Sequence, residues 1–172
     1  MGLIWSLGVV LVLAVSSAAQ PAPTPGPEQG RLAFWCGEWN YVIPARGGVG
    51  AVSGGWTGRM FGGGFFVRYE ETFRPASGAA LETLGIVGRD PVEGVYFWHR
   101  YWSNGQVDRA RGWLHGAVWT FDFGESRVDG RLQRTQVVMT EESPDRLGFR
   151  WQRSVEGQPW EVLSEGQARK MR

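Results

Sequence analysis

Hydrophobic and polar residues alternate along much of the chain, which is the pattern of β-strands that bury one face. In the segment AVWTFDFG, the rings of Trp119, Phe121 and Phe123 fall on one face, and polar side chains fall between them. The segment RLGFRWQRS repeats the pattern, with Trp151 on its apolar face. Since strand residues two apart point the same way, each segment predicts a strand with one buried and one wet face.

Clusters of glycine, proline, serine, asparagine and aspartate divide the chain into short extended runs. Examples are PASG, DPVEG, SNG and ESPD, whose residues favour tight turns or adopt positive φ. One helical turn is expected at residues 29–34, before the first strand. About ten strands are then predicted. They cover residues 38–43, 50–60, 64–74, 80–89, 94–102, 106–115, 117–124, 130–140, 146–155 and 160–169.

The short connections between these runs limit the topology of the sheet. A parallel crossover needs about a dozen residues or more, whereas the predicted turns are shorter, so neighbouring strands should run antiparallel. About ten such strands in one sheet twist strongly, and closure removes their exposed edges. The sequence therefore predicts an all-β fold, an antiparallel up-and-down barrel wide enough to hold one small ligand.

The run VYFWHRYW, residues 95–102, carries aromatic rings on both faces. Alternation places Trp98 and Arg100 on one face and Phe97 and His99 on the other. Two arrangements account for this pattern. Either one face lines a cavity while the other forms a contact between two copies of the chain, or one face is core and the N-terminal region covers the other.

The first residues of the chain have the composition of a secretory signal peptide. Residues 1–19 are uncharged, and the small residues Ser17 and Ala19 precede a cleavage point before Gln20. The usual basic start is missing, so an uncleaved anchor is the alternative, although the apolar run is near the lower limit of a membrane span. With residues 20–30 as a proline-rich tail and 31–172 as one β-barrel domain, we expect a periplasmic or secreted protein that leaves the membrane after cleavage.

The charge and the cysteine and histidine content of the chain reduce the number of functions that the sequence allows. The formal net charge is +1 with both signs spread along the chain, which predicts neither a nucleic-acid-binding surface nor a polybasic membrane patch. Cys36 is the sole cysteine, so we expect no internal disulfide and interpret it as a small buried hydrophobe. His99 and His115 are the two histidines, and zinc prefers three or four nitrogen or sulfur ligands, so no metal site is predicted.

Several motifs follow one another in a fixed order across residues 31–172. They are WCGEWNY, GGGFFVRYEE, LGIVGRDPVEGVYFWHRYWSNG, RGWLHGAVWTF and EGQPWEVLSEGQARKMR. In this order they resemble the bacterial DUF1579 family, whose biochemical role is largely uncharacterised. The resemblance implies a calycin-like barrel, similar to lipocalins and fatty-acid-binding proteins. Haem-binding barrels related to nitrobindin use a histidine near the C-terminal end, and none follows His115, so no cofactor is expected.

Candidate site residues follow from the predicted facing of the strands. The apolar walls of a cavity are expected to be Trp119, Phe121 and Trp151. The polar contacts are expected to be Tyr69, Glu71, His99 and Arg111. Because an unpaired buried charge is costly, an inward Glu71 would need a cationic partner. The candidate partners are Arg100, Arg111 and Arg153.

Three functions fit these features. The first is a non-catalytic secreted or periplasmic protein that binds one apolar or amphipathic small molecule inside the barrel. The second is an enzyme in the same cavity, with Glu71 or His99 as general base, which rests on analogy between folds. The third is an assembly module with a filled barrel, in which the aromatic strand forms a homodimer contact. Binding requires an open cavity, catalysis requires paired ionisable groups in it, and assembly requires an exposed aromatic face.

Overall fold

The protein is a closed antiparallel β-barrel of ten strands, described here by a computed structural model of residues 23–46 and 50–171. Each strand pairs with the next one along the chain, and the first strand pairs with the last to close the barrel. The closing register sets Trp39 opposite Lys170. The predicted all-β up-and-down barrel is therefore confirmed. The predicted signal peptide and the start of the predicted tail lie outside the described residues.

The strands follow the predicted runs closely. They are β1 (Gly37–Ile43), β2 (Val52–Phe61), β3 (Phe66–Pro75), β4 (Leu81–Asp90), β5 (Val95–Trp102), β6 (Val107–His115), β7 (Val118–Val128), β8 (Arg131–Ser143), β9 (Arg146–Val155) and β10 (Glu161–Lys170). The largest difference is in β7, which was expected to end at residue 124. A register shift between Asp122 and Glu125 forms a bulge, and a bulge bends a strand without ending its pairing.

The predicted helical turn closes one end of the barrel. A short α-helix, α1 (Pro27–Gly30), continues into a 3-10 helix (Arg31–Trp35), in which Leu32 and Trp35 are buried. The hydroxyl of Tyr96 donates a hydrogen bond of 3.0 Å to the Glu28 carbonyl and ties α1 to β5. The folded unit thus includes residues 27–30, which the sequence placed in the tail. No helix among the described residues is long and apolar enough to cross a membrane.

The two faces of β5 have different surroundings, as its sequence predicted. Trp98 and Arg100 are buried inside the barrel. On the outer wall, the ring of Phe97 lies 6.1 Å from Phe66 and 5.0 Å from His99, measured between ring centroids. Further along the same outer face, Tyr101 is 42% exposed. Neighbouring rings of the outer wall therefore cover part of this face.

A close contact inside the barrel explains why β4 carries a glycine at position 85. A Cβ atom on Gly85 would overlap the ring of Tyr69 on the paired strand β3. We expect Gly85→Ala to lower the free energy of unfolding by about 1–3 kcal/mol, because overpacking forces neighbouring side chains to shift. Chemical denaturation followed by fluorescence measures this loss.

The control for this substitution is Gly30→Ala in α1. A Cβ at Gly30 would meet nothing within 4 Å, and its φ of −58° suits alanine. We expect a change of less than about 1 kcal/mol, in the stabilising direction. Equal losses in the two variants would show that the Tyr69 contact does not restrict position 85.

Candidate functional site

The interior of the barrel has one solid end and one open end. At the solid end, the indole of Trp35 contacts four rings from the barrel wall, with centroids 5.7–6.2 Å apart. Those rings belong to Trp56, Trp98, Trp119 and Phe121. The N-terminal segment therefore fills this half, and the empty space of the interior lies in the other half.

The open half contains a cavity of about 730 Å³. Its apolar lining includes rings from β1, β3, β5, β7 and β9 and aliphatic side chains from β1, β2 and β10. These residues are Tyr41, Ile43, Val52, Phe73, Trp98, Trp102, Phe123, Phe149, Trp151 and Leu163. Small-molecule sites in proteins are commonly of this size and composition, with a few polar groups that orient the ligand.

Arg100 is the central polar group of this lining. Its guanidinium carbon lies 4.7 Å from the Trp98 ring, 4.9 Å from Trp102, 5.0 Å from Trp151 and 5.4 Å from Phe123. A cation over an aromatic face is attracted by the ring quadrupole, and more strongly where water is excluded. The side chain is only 8% exposed, so these rings and its ionic partner replace the water that it loses on folding.

The ionic partner of Arg100 is Asp108 on β6. An Arg100 Nη atom lies 2.7 Å from the Asp108 carboxylate, whose side chain is 16% exposed. The indole N–H of Trp102 donates to the same carboxylate at 2.7 Å, and the Gln106 amide donates at 2.9 Å. The Asp108 carboxylate thus has one ionic partner and two hydrogen-bond donors, which come from three different side chains.

Glu71 on β3 is the second carboxyl group that lines the cavity. The Tyr41 hydroxyl donates a hydrogen bond of 2.8 Å to Glu71 Oε1. Removal from water raises the pKa of the Glu71 carboxyl above its ordinary value, and the charge of Arg100 and the Tyr41 hydrogen bond offset part of that rise. Of the three partners predicted for Glu71, Arg100 is the one that acts on it.

Tyr69 and Trp98 form a polar contact between the solid and open halves. The Trp98 indole N–H donates to the Tyr69 hydroxyl at 2.5 Å. Burial raises the pKa of Tyr69, and the nearby Glu71 carboxylate raises it further. The phenol therefore stays neutral and holds the Trp98 ring against Arg100.

Five of the seven predicted site residues face the interior of the barrel, in three groups. Glu71 and Trp151 line the open cavity. Tyr69 is buried next to it and supports Trp98. Trp119 and Phe121 face inward as predicted, but they are fully buried in the solid half, where Trp35 covers them.

The remaining two predicted residues, His99 and Arg111, lie on the outer wall, so the expectation that they face the cavity is wrong. Arg111 is 60% exposed and pairs with Glu93 at 2.8 Å. The reason for Arg111 lies in β6, where a Cβ at Gly112 would come within 2.5 Å of the Phe121 ring. Gly112 and the buried Ala110 take the inward positions of this stretch, and Arg111 between them points outward.

Arg100 was predicted only as a partner for Glu71, and Asp108, Trp102 and Tyr41 were not among the predicted site residues. Alternation along β5 already placed Arg100 on one face with three aromatic residues. This pattern predicts that Arg100 has a partner inside the barrel, because a buried charge among aromatic rings is costly unless it is paired. Nothing in the sequence identified Asp108 as that partner, since the pairing of β5 with β6 sets their register.

The two histidines lie outside this cavity. Partial burial lowers the pKa of His99, and the charge of Arg109 lowers it further. His115 is exposed at the end of β6. Within residues 23–46 and 50–171, no group of three or more histidine, cysteine or acidic side chains is placed to hold a metal ion.

A solved structure shares this barrel. The crystal structure of Rv2717c from M. tuberculosis aligns with a TM-score of 0.54 over 86% of this chain and 99% of that chain, at 14% sequence identity. At this identity the likeness shows the fold alone. Comparison with models of protein families finds no match, and neither does a search of curated proteins. The resemblance to DUF1579 stays a prediction.

Proposed function

We propose that the protein binds one small apolar or amphipathic molecule in the open half of the barrel and that it does so without catalysis. The observation that carries this proposal is the cavity of about 730 Å³, walled by aromatic rings and holding two carboxyl groups and one guanidinium. A periplasmic or secreted location, predicted from residues 1–19, is part of the same proposal.

The division of the interior supports binding over simple core packing. The solid half contains the tryptophan cluster around Trp35, which provides a packed core. The open half adds further rings, such as Phe73 and Trp151, that remain partly buried beside empty volume. Because packed cores leave few voids larger than a water molecule, a lined cavity of this size favours an occupant.

A cavity-filling variant tests this proposal. Thr135 on β8 lines the cavity, and Thr135→Trp would place an indole in it. We expect the variant to bind N-phenyl-1-naphthylamine, an uncharged fluorescent probe, at least about tenfold more weakly than the unaltered protein. Fluorescence titration of the probe measures this, and chemical denaturation checks that the variant folds.

The matched control is Thr140→Trp on the same strand. Thr140 lines a groove on the outer wall, so its indole would leave the interior unchanged. We expect this control to bind the probe within about twofold of the unaltered protein. If the unaltered protein fails to bind the probe, or if both variants weaken binding equally, the cavity is not the binding site.

A further inference from the structure

The charges that face the cavity do not balance when all of its ionisable groups are charged. Among the lining residues, Glu71 and Asp108 carry carboxyl groups and Arg100 carries a guanidinium. With all three ionised, the site has one negative charge more than it has positive charges. A ligand that carries the opposite charge would remove this imbalance.

Arg100 and Asp108 neutralise each other. They form an ion pair of 2.7 Å, and Asp108 receives two further hydrogen bonds, from Trp102 and Gln106. The rings of Trp98, Trp102, Phe123 and Trp151 surround the same guanidinium, whose Nε has no hydrogen-bond partner in the described part of the chain. An anionic ligand would have to compete with Asp108 for Arg100 and would approach Glu71 as well.

Glu71 is left with a different environment. Its direct partner is the Tyr41 hydroxyl, and none of the ion pairs in the described part of the chain includes Glu71. The charge of Arg100 acts on Glu71, but that guanidinium is already paired with Asp108, so a Glu71 carboxylate removed from water lacks an ionic partner of its own. The rings of Tyr41, Phe73 and Trp102 line the same cavity, and aromatic rings attract cations.

We propose that the cavity selects amphipathic molecules with a cationic head group, such as a primary or quaternary ammonium, and that Glu71 is the group that pairs with it. This inference rests on the proposed function and specifies its ligand class. The apolar part of the ligand would lie against Ile43, Phe149 and Leu163, which line the cavity from β1, β9 and β10 and not from the strands of the ion pair.

Three probes with one decyl chain test the head group. They are decyltrimethylammonium, decanol and decanoate, titrated by tryptophan fluorescence at pH 7.5. The two ionic probes are used below their micelle concentrations, and decanol is used below its solubility limit. We expect decyltrimethylammonium to bind about tenfold or more tightly than decanol, and decanoate to bind more weakly than decanol. The shared chain makes the difference in affinity a property of the head group.

Two neighbouring glutamates provide matched variants. Glu71→Gln removes the inward carboxylate, whereas Glu70→Gln removes an exposed one that pairs with Arg68 on the outer wall. We expect Glu71→Gln to bind decyltrimethylammonium and decanol with affinities within about twofold, and Glu70→Gln to keep the full preference. Near-ultraviolet circular dichroism checks the fold of both variants.

The pH dependence of the unaltered protein gives a readout that does not depend on a variant. The charged and titratable groups that face Glu71 are Tyr41 from β1, Tyr69 from β3 and Arg100 from β5, with Asp108 on β6 paired to Arg100. Burial raises the pKa of both tyrosines, so they stay neutral near pH 7. Since a proton and the cation compete for Glu71, the affinity for decyltrimethylammonium should rise as pH rises through the pKa of Glu71, whereas the affinity for decanol should not.

The outcomes separate this inference from the proposed function. If none of the three probes binds, the proposed function fails. A second outcome is that the probes bind with an affinity for decanoate that equals or exceeds the affinity for decyltrimethylammonium. In that case the cavity binds small molecules, and the proposed preference for a cationic head group is wrong. An unchanged preference in Glu71→Gln would also overturn the role given to Glu71.

Discussion

Replacing Asp108 by alanine is expected to lower the free energy of unfolding by about 3–5 kcal/mol, because it leaves the Arg100 guanidinium buried without its ionic partner. Arg100 is 8% exposed and Asp108 16% exposed, so water replaces little of the lost interaction. The Trp102 indole N–H and the Gln106 amide lose their acceptor in the same variant. Chemical denaturation at pH 7 measures the loss.

The exposed ion pair between Arg111 and Glu93 is the matched control for this prediction. Its side chains are 60% and 47% exposed, and its separation is 2.8 Å, close to that of the buried pair. We expect Glu93→Ala to cost less than about 1 kcal/mol, because surface ion pairs contribute little. The double variant Arg100→Met/Asp108→Leu should recover most of the stability that Asp108→Ala loses, since no buried charge then remains unpaired. Equal losses for the two alanine variants would contradict this account of the site.

Replacing Trp35 by alanine is expected to cost about 3–5 kcal/mol, because it empties the solid half of the barrel. Trp35 is 3% exposed and contacts four rings of the wall. Its indole Nε1 is buried without a hydrogen-bond partner in the described part of the chain, so packing of the ring gives the whole stabilisation. Denaturation curves followed by far-ultraviolet circular dichroism measure the loss.

Trp113 on the outer wall serves as the control for Trp35. It is 39% exposed, so Trp113→Ala removes an indole of the same size without opening the interior. We expect this control to lose less than half as much stability as Trp35→Ala, since less apolar area leaves contact with protein. If the two variants lose equal stability, the N-terminal segment does not act as the core of the solid half.

The strands could be predicted because two local signals agreed along the chain. Alternation in β7 and β9 placed their apolar residues inside, and turn residues separated most strands correctly. The connections between predicted strands were too short for any topology but an antiparallel one. Closure of β1 on β10 followed from the number of strands.

The site was harder to predict because it depends on how strands pair and where the interior is filled. Trp119 and Phe121 face inward as expected, yet Trp35 covers them, and no local pattern shows where the N-terminal segment enters the barrel. In β6 the small residues, among them Gly112, face inward, whereas Trp113 faces outward. A prediction that places every large apolar residue of a strand inside the barrel is therefore wrong for Trp113. The pairing of Arg100 with Asp108 depends on the register of β5 with β6, which the sequence does not determine.

The order of the strands has a consequence for folding. Nine of the ten strand pairs join neighbours along the chain, and only the pair of β1 with β10 joins distant segments. Hairpins can therefore form one after another as the chain becomes available, while β1 keeps one unpaired edge throughout. Until the last strand docks, that edge and the growing end of the sheet are open to pairing with other chains, and the final closure removes both.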